Sequence, residues 1–369
     1  MSDGLTASPE TASAAAQGLT GPSRLATAFA ATRHFRPVLL LVVVLFAYFA
    51  ATQSDVFLTS QNLQNLLTGV SILWVVSMGM TFVMITGGVD LSVAALSVLV
   101  GLFMAKVLEA GVPGGIAVLL TVLVGAVVGG AVNGVLIGKL KLSFFVVTLA
   151  SMTVYTGIVN LWSDTRSFYV TAPLVVKIGV EKVGGVPTPI LIMVATFLIA
   201  LWVQTRTYFG RDVYAVGGSM PAARLSGIRT SRTVVCVYAV SGACAALGGV
   251  IAIGRIGAAT PQVDNTLALQ AAAAVLLGGT SLFGGAGGVG GTALGVLFIG
   301  VLQNGLSIAG IASSWQQVVT GVILVAAILG DRISVGRVRR KAPGADPASA
   351  LEATEAAAVH GGDPPALQR

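Results

Sequence analysis

Ten apolar runs follow one another along the chain, separated by short polar or glycine-rich segments. In order they cover residues 37–51, 66–85, 93–108, 115–140, 144–162, 189–203, 234–253, 267–277, 290–308 and 318–329. Most approach the ~20 apolar residues that a helix needs to cross a bilayer. The pattern predicts an all-α polytopic membrane protein with about ten transmembrane helices, some broken at glycine-rich segments. An even number of spans places the N- and C-termini on the same side.

The two ends of the chain differ from this middle part. Residues 1–36 are rich in Ala, Ser, Thr and Gly, and residues 331–369 mix Ala, Pro, Gly and Glu. Neither segment has the apolar content of a packed core, so both are predicted to be disordered tails. The transmembrane domain is therefore expected to span residues 37–330, with one long polar loop at residues 206–232.

The distribution of charge predicts the orientation. Only 9% of residues are charged, the mean hydropathy is +0.91, and the net charge is +7. Basic residues precede the first run, follow the fourth and the tenth, and fill the loop 206–232, which has five arginines against Asp212 alone. A ten-span count puts these four regions on one side, which the positive-inside rule makes the cytoplasm. Both tails are then cytoplasmic, and the basic residues indicate contact with membrane lipid and no role in binding nucleic acid.

The sequence offers little for catalysis. Both histidines lie in the polar tails, and Cys236 and Cys244 share one apolar run without metal-ligand spacing. The segment Gly134–Leu140 superficially resembles a phosphate-binding loop, but it has three residues between its glycines and lacks the hydroxyl residue after Lys139. We predict no catalytic residues, no metal and no cofactor in this chain, so any ATP and its magnesium must be bound by a partner.

One acid stands out between the second and third runs. Asp90 lies in the segment Thr86–Ser92, and a carboxylate at membrane depth costs on the order of 3 kcal/mol by insertion scales. It either lines a polar route or makes a helix-capping or interhelical hydrogen bond. The glycine-rich break that contains it resembles Gly278–Phe283, and broken helices in duplicated halves often meet near a transporter's substrate site.

Further hydroxyls and amides share helix faces in three of the runs. Such groups suit an uncharged polyhydroxylated ligand because they both donate and accept hydrogen bonds, although ordinary helix–helix hydrogen bonding remains the alternative for each. The predicted translocation path comprises Ser77, Thr81, Gly87, Gly88, Asp90, Ser92, Thr148, Ser151, Gln303 and Asn304.

Five glycines in the fourth run recur at helical spacing, at positions 125, 129, 130, 134 and 138. Small residues let membrane helices approach each other closely, so the stripe predicts tight packing against a neighbouring helix. Lining of a path is the alternative.

The loop 206–232 carries the most specific signal. Pro221 can begin a short helix that extends to Leu225, with Ser219 as its N-cap and Gly227 after its end. A short capped helix in a cytoplasmic loop is suited to docking a soluble partner. A loop that only sets the membrane topology would explain the arginines but not the helix-start signal at Ser219 and Pro221.

At this loop the chain resembles a known family. The segment Ala215–Ile228 is similar to the coupling segment of ribose-type permease subunits of bacterial ATP-binding-cassette importers. Thr86–Val93 resembles the family's early motif, and Leu277–Gly285, Gly290–Gly295 and Gln303–Leu306 resemble its late motifs. Asn133–Gly134 and Phe145–Leu149 match its middle part.

The resemblance implies a monosaccharide permease that works with three kinds of partner. These are a cytoplasmic ATP-binding subunit, a periplasmic or lipid-anchored sugar-binding protein that would land on the loop 163–187, and a second permease copy in a homodimer. Ser219 and Ala94 stand where the family often has Asn and Gly. The surface that touches the ATPase would comprise Gly217, Gly218, Met220, Pro221, Ala222, Arg224 and Leu225.

Two other functions are compatible with a polytopic protein. An ion-coupled secondary transporter of a small polar solute usually carries several intramembrane acids and bases, whereas Asp90 is alone here. A scaffold without transport would not need regularly broken helices. Branched-chain amino acid permeases resemble the chain more distantly, and a lone acid favours a neutral sugar over a zwitterion.

Overall fold

The computed structural model describes the backbone of residues 36–340 and the side chains of residues 37–329. Residues 1–35 and 341–369 of the predicted tails lie outside the described residues. The first half of the chain forms α1 (Arg36–Thr52), α2 (Ser54–Phe57), α3 (Ser60–Ile85), α4 (Val93–Glu109), α5 (Gly114–Val128), a π-helical turn (Gly129–Gly134), α6 (Val135–Gly138) and α7 (Phe144–Ser163). The second half forms β1 (Phe168–Tyr169), α8 (Pro173–Val180), β2 (Lys182–Val183), β3 (Val186–Pro187), α9 (Thr188–Arg206), α10 (Tyr208–Gly218), α11 (Met220–Leu225), α12 (Thr230–Ile256), β4 (Ala258–Ala259), α13 (Thr266–Leu277), α14 (Val289–Ile308) and α15 (Ser313–Arg340).

The prediction of an all-α polytopic protein is confirmed in its class. Six of the described helical segments are long and apolar enough to cross a membrane, namely 60–85, 114–138, 144–163, 188–206, 230–256 and 289–308. Shorter apolar helices lie at 37–52, 266–277 and 313–329. Each apolar run of the sequence lies in a helix, although α3 begins six residues before its run and α15 begins five before its run, while the count of ten spans remains a prediction. Helix α15 continues to Arg340, beyond the predicted start of the C-terminal tail at residue 331.

Helix α12 lies at the centre of the fold. It packs against α3, α4, α5 and α8. The glycine stripe of the fourth run faces it, as a Cβ at Gly125 would lie 2.6 Å from the carbonyl oxygen of Gly242, and one at Gly134 would lie 2.8 Å from the Cα of Val235. The predicted tight packing is therefore confirmed, and the absent side chains bring the two backbones into direct contact.

The bundle has two distinct ends. At one end lie the segments 86–92, 139–143 and 278–288 together with α10 and α11, and we call it the α11 end. At the other, the β4 end, the strands β1 and β4 pair antiparallel, and α8 packs against the last turn of α12 through Gly179 and Gly254. The loop 163–187, the predicted landing site, thus contains α8, the short β2–β3 hairpin, and β1, which pairs with the distant β4.

We predict that Gly125→Ala destabilises the bundle, because its new Cβ would push against the backbone of α12. Overpacking of this kind costs about 1–3 kcal/mol. Gly157→Ala is the control, since Gly157 also lies in a long apolar helix but has open space around it. Thermal unfolding in detergent should show a lower midpoint for Gly125→Ala alone. Equal midpoints for the two variants would contradict the close packing of α5 against α12.

Candidate functional site

Helix α11 is short, capped at both ends and largely exposed. The Ser219 hydroxyl accepts a hydrogen bond from the Ala222 N–H at 3.4 Å and caps α11, as predicted. Gly227, with φ of 83°, ends it in the left-handed conformation. Ala223 points inward and is buried, whereas Leu225 is 91% exposed. The remaining predicted contact residues of α11 are also exposed, namely Met220, Pro221, Ala222 and Arg224.

Directly before α11, the backbone of α10 rests on two other backbone segments. A Cβ at Gly217 would clash with the carbonyl oxygen of Ile85 and lie 2.7 Å from the Gly285 nitrogen. The Gly285 N–H donates a hydrogen bond to that same Ile85 carbonyl at 2.9 Å. We call the meeting of residues 85–88, 217–218 and 283–285 the backbone junction. It joins the end of α3, the end of α10 and the break that precedes α14.

A pair of polar side chains fixes α10 to the second break. The Tyr214 hydroxyl donates to the Gly287 carbonyl at 2.5 Å, and the Gln204 amide donates to the Tyr214 oxygen at 2.6 Å. The Gln204 carbonyl oxygen in turn accepts from the Val289 N–H, the first residue of α14, at 2.9 Å. Burial raises the pKa of the Tyr214 phenol, which keeps it protonated and able to donate at neutral pH. Helices α9, α10 and α14 are therefore tied together beside the junction.

Asp90 is held in a buried hydrogen-bond network. One carboxylate oxygen accepts from the Ser92 hydroxyl at 2.6 Å and from the Ser92 N–H at 3.1 Å, and the other accepts from Ser241 at 2.8 Å. Asn133 donates to the Ser92 hydroxyl at 2.7 Å and accepts from Ser151 at 2.6 Å. Its side chain comes from the π-helical turn, a local widening that is common at functional positions. Asp90 is 0% exposed, so its hydrogen bonds satisfy a charge that has no cationic partner among the described residues.

A cavity of about 370 Å³ lies between α3, α4, α12, α13 and α14 and reaches the β4 end. Gln303 points into it without a hydrogen-bond partner among the described residues. The other polar side chains that line it are Ser97, Thr260, Gln262, Asp264 and Gln270. Hydroxyls and amides dominate this set, so the cavity is equipped for an uncharged polar solute.

Helices α3 and α14 touch between this cavity and the α11 end. Two turns further along α3, the hydroxyls of Thr81 and Thr292 are paired at 2.7 Å, and both residues are fully buried. Ser77 is also buried, and its hydroxyl has no partner. The helices α3 and α14 are thus in direct polar contact on the side of the cavity that faces the α11 end.

The residues predicted to form the path fall into three groups. Gln303 lines the 370 Å³ cavity, and Gly87 and Gly88 line a second cavity of about 280 Å³ at the α11 end, together with Met220 and Arg224. The buried groups that line neither cavity are Ser77, Thr81, Asp90, Ser92, Thr148 and Ser151. Asn304 exchanges two hydrogen bonds of 3.0 Å with Asn62 of α3. A role in the path remains a prediction for all of them.

Sequence reasoning did not identify Gln204, Tyr214, Ser241 or Thr292, and it did not predict helix α10. Tyr214 carried a weak signal, since it is a hydrogen-bonding side chain three residues before Gly217 and Gly218. Among the described residues, no group of three or more His, Cys, Asp or Glu side chains could hold a metal ion.

We predict that Asp90→Ala lowers the midpoint of thermal unfolding, because it leaves the donors of Ser92 and Ser241 without an acceptor. Each stranded donor costs about 1–3 kcal/mol. Asp90→Asn, which keeps one acceptor, should lose less. The alternative, that Asp90 serves only to line a route, requires Asp90→Ala to reduce transport at an unchanged unfolding midpoint.

Comparison with known proteins places this arrangement in a family. Residues 62–328 match the family described as branched-chain amino acid transport system/permease component. The ribose import permease protein RbsC of Bacillus subtilis (strain 168) is 43% identical over 75% of this chain and 86% of its own length. RbsC of Escherichia coli (strain K12) is 37% identical over 79% and 92%, and the D-allose transport system permease protein AlsC of the same strain is 34% identical over 79% and 90%.

No solved structure matches the chain. The family match covers the helices from α3 to α15, including the backbone junction, the buried network and both cavities. The chain therefore belongs to the family of branched-chain amino acid transport system/permease components and is an inner-membrane permease of the ATP-binding-cassette importer type.

Proposed function

We propose that the protein is the membrane subunit of an importer that moves a monosaccharide, such as ribose or a related sugar, across the cytoplasmic membrane. Its relatives of known name are permeases for ribose and D-allose. The energy comes from ATP hydrolysis in a partner subunit, which binds the ATP and magnesium. The observation that supports this proposal best is the backbone junction, because it connects an exposed docking helix directly to both broken segments of the bundle.

The α11 end faces the cytoplasm. Its basic residues include Lys139, Lys141, Arg206, Arg211, Arg224, Arg229 and Arg232. At the β4 end acids and bases are mixed, and positive charge in short loops marks the cytoplasmic side. Helices α1, α4, α13 and α15 add four spans to the six long ones, which gives the even count that the charges require. The β4 end then faces the periplasm.

Coupling proceeds through the junction. The ATPase contacts the exposed residues of α11 and displaces this helix. Gly217 passes the displacement on to Ile85 and Gly285, and the Tyr214–Gln204 pair moves α14 with them. Because backbone touches backbone, no flexible side chain can absorb the movement. The paired Thr81 and Thr292 lie one turn from the junction on α3 and α14, so they would move with it and open the cavity toward the cytoplasm.

The remaining partners are assigned to the β4 end and to the outer surface of the bundle. The ordered loop 163–187 at the β4 end is the proposed landing site of the sugar-binding protein, which delivers sugar beside the mouth of the 370 Å³ cavity. A second permease copy completes a homodimer, and membrane lipid covers the remaining apolar helix faces, among them those of α5, α7 and α9 with their many exposed Leu, Ile and Val side chains.

We predict that Gly217→Ala lowers sugar uptake about tenfold in proteoliposomes containing the complete importer, because the added methyl group displaces α10 from Ile85 and Gly285. Gly218→Ala is the matched control, since a Cβ there meets nothing within 4 Å. Uptake and ATP hydrolysis should be measured together, with size-exclusion profiles confirming that both variants assemble.

Should Gly217→Ala fail to assemble, Tyr214→Phe tests the same link by removing the hydroxyl that donates to Gly287 and accepts from Gln204. Its uptake per ATP hydrolysed should also fall. Wild-type uptake per ATP in Gly217→Ala or Tyr214→Phe would contradict coupling through the junction.

The cavity yields a separate prediction. Gln303→Leu keeps the side-chain size but removes a free amide, so it should lower sugar uptake about tenfold at low sugar concentration while leaving ATPase docking intact. Gln317→Leu, on α15 and outside this cavity, is the control. Equal uptake by the two variants in a radiolabelled-sugar assay would remove Gln303 from the path.

A further inference from the structure

The 280 Å³ cavity at the α11 end lies where three long apolar segments begin or end. The segment 114–138 ends at Gly138, the segment 144–163 begins at Phe144, and the segment 230–256 begins at Thr230, and all three of these residues line the cavity. Segments of this length match the hydrocarbon thickness of a bilayer, so their ends mark the depth of the lipid headgroups. The cavity therefore lies at headgroup level on the proposed cytoplasmic side.

Two basic side chains line this cavity without a carboxylate partner. Lys141 lies in the turn between α6 and α7, and Arg224 lies on α11, on the far side of the cavity. Among the described residues the ion pairs involve neither of them. The nearest acid of the buried network, Asp90, does not line the cavity and is fully engaged by hydrogen bonds to Ser92 and Ser241. The lining is thus positively charged.

Two long helices also begin at this cavity with uncapped N-termini. Neither Ser143 before α7 nor Arg229 before α12 makes a side-chain capping hydrogen bond. The N–H groups in the first turn of each helix, such as those of Phe144 and Ser231, have no intrahelical acceptor. Helix N-termini carry a partial positive charge and bind phosphate groups through these donors. Both helix termini therefore add to the attraction that the two cations exert on a negatively charged group.

The Tyr238 side chain supplies an independent sign of a missing ligand. It lines the cavity and is only 1% exposed, yet its hydroxyl has no hydrogen-bond partner among the described residues. The hydroxyl stands against the Gly88 backbone, 2.9 Å from the position of a Cβ there. Buried hydroxyls in native structures are normally paired, so an unpaired one beside a cationic cavity indicates an acceptor that binds there.

We propose that this cavity binds a phosphate group, with Lys141, Arg224, the two helix N-termini and the Tyr238 hydroxyl as its donors. The headgroup of an anionic membrane lipid is one source of such a group and a free phosphate ion is the other. Leu142 and Phe145 are half exposed next to the cavity, which favours the lipid because acyl chains can cover them. A bound phosphate bridges α7 and α11, and so fastens the docking helix to the bundle. The site is independent of which solute the protein transports.

The test is binding to the purified, delipidated full-length chain in detergent. Native mass spectrometry measures retention of phosphatidylglycerol against phosphatidylcholine, and thermal unfolding with inorganic phosphate measures binding of the free ion. Lys141→Gln removes one cation, and Tyr238→Phe removes only the unpaired hydroxyl. Lys139→Gln is the matched control, because it deletes the same charge two positions away and Lys139 does not line the cavity.

The expected result is tighter retention of phosphatidylglycerol than of phosphatidylcholine by the wild type and Lys139→Gln, weakened about tenfold in Lys141→Gln and several-fold in Tyr238→Phe. The same pattern with inorganic phosphate, and no preference for phosphatidylglycerol, would support the site and identify the free ion as its ligand. The proposal is overturned if neither anion distinguishes the wild type from Lys141→Gln, or if Lys139→Gln weakens binding equally.

Discussion

The direct contact of three backbone segments at Gly217 is the constraint on which the α11 end of the molecule depends. A side chain at this position would clash with the Ile85 carbonyl, and that carbonyl already accepts the N–H of Gly285. Two breaks that are almost two hundred residues apart in the sequence are thus joined to one docking helix without intervening side chains. Protein interiors this closely packed transmit displacement and do not absorb it. A soluble partner that moves α11 therefore moves the ends of α3 and α14 as well.

The buried network around Asp90 holds the first break, residues 86–92, in a fixed conformation. A buried carboxylate with no cation beside it is tolerated only where several donors surround it, and here they come from α12, the π-helical turn and the first break itself. The break can consequently remain non-helical inside the membrane domain without leaving its polar groups unsatisfied. With the break fixed in this way, movement at the α11 end is carried by α3 and α14 together, including their contact at Thr81 and Thr292. The two features together explain how a bundle rich in glycine keeps defined paths of movement.

Much of this architecture could be predicted from the sequence. Apolar runs gave every long helix because membrane helices need little else than length and hydropathy, and Ser219, Pro221 and Gly227 predicted α11 because capping and turn formation are local effects. The glycine stripe correctly predicted close packing, although nothing local identified α12 as its partner. Helix α10, the Tyr214–Gln204 pair and the Thr81–Thr292 contact escaped prediction because they depend on which helices become neighbours. Asp90 could either form hydrogen bonds or line a route. The choice depends on which side chains surround it in the folded protein, and a single sequence does not give that information.

The most direct test of a rigid junction is a pair of distances in the assembled importer, measured by spin labels on a variant in which Cys236 and Cys244 are replaced by alanine. One pair joins Tyr208 of α10 to Phe283 of the second break, and the other joins Tyr208 to Leu161 near the β4 end; all three side chains are well exposed. If the junction moves as one unit, binding of ATP to the partner leaves the Tyr208–Phe283 distance unchanged and shifts the Tyr208–Leu161 distance. A change in the Tyr208–Phe283 distance on ATP binding would show that α10 slides over the breaks, and coupling through the backbone junction would be wrong.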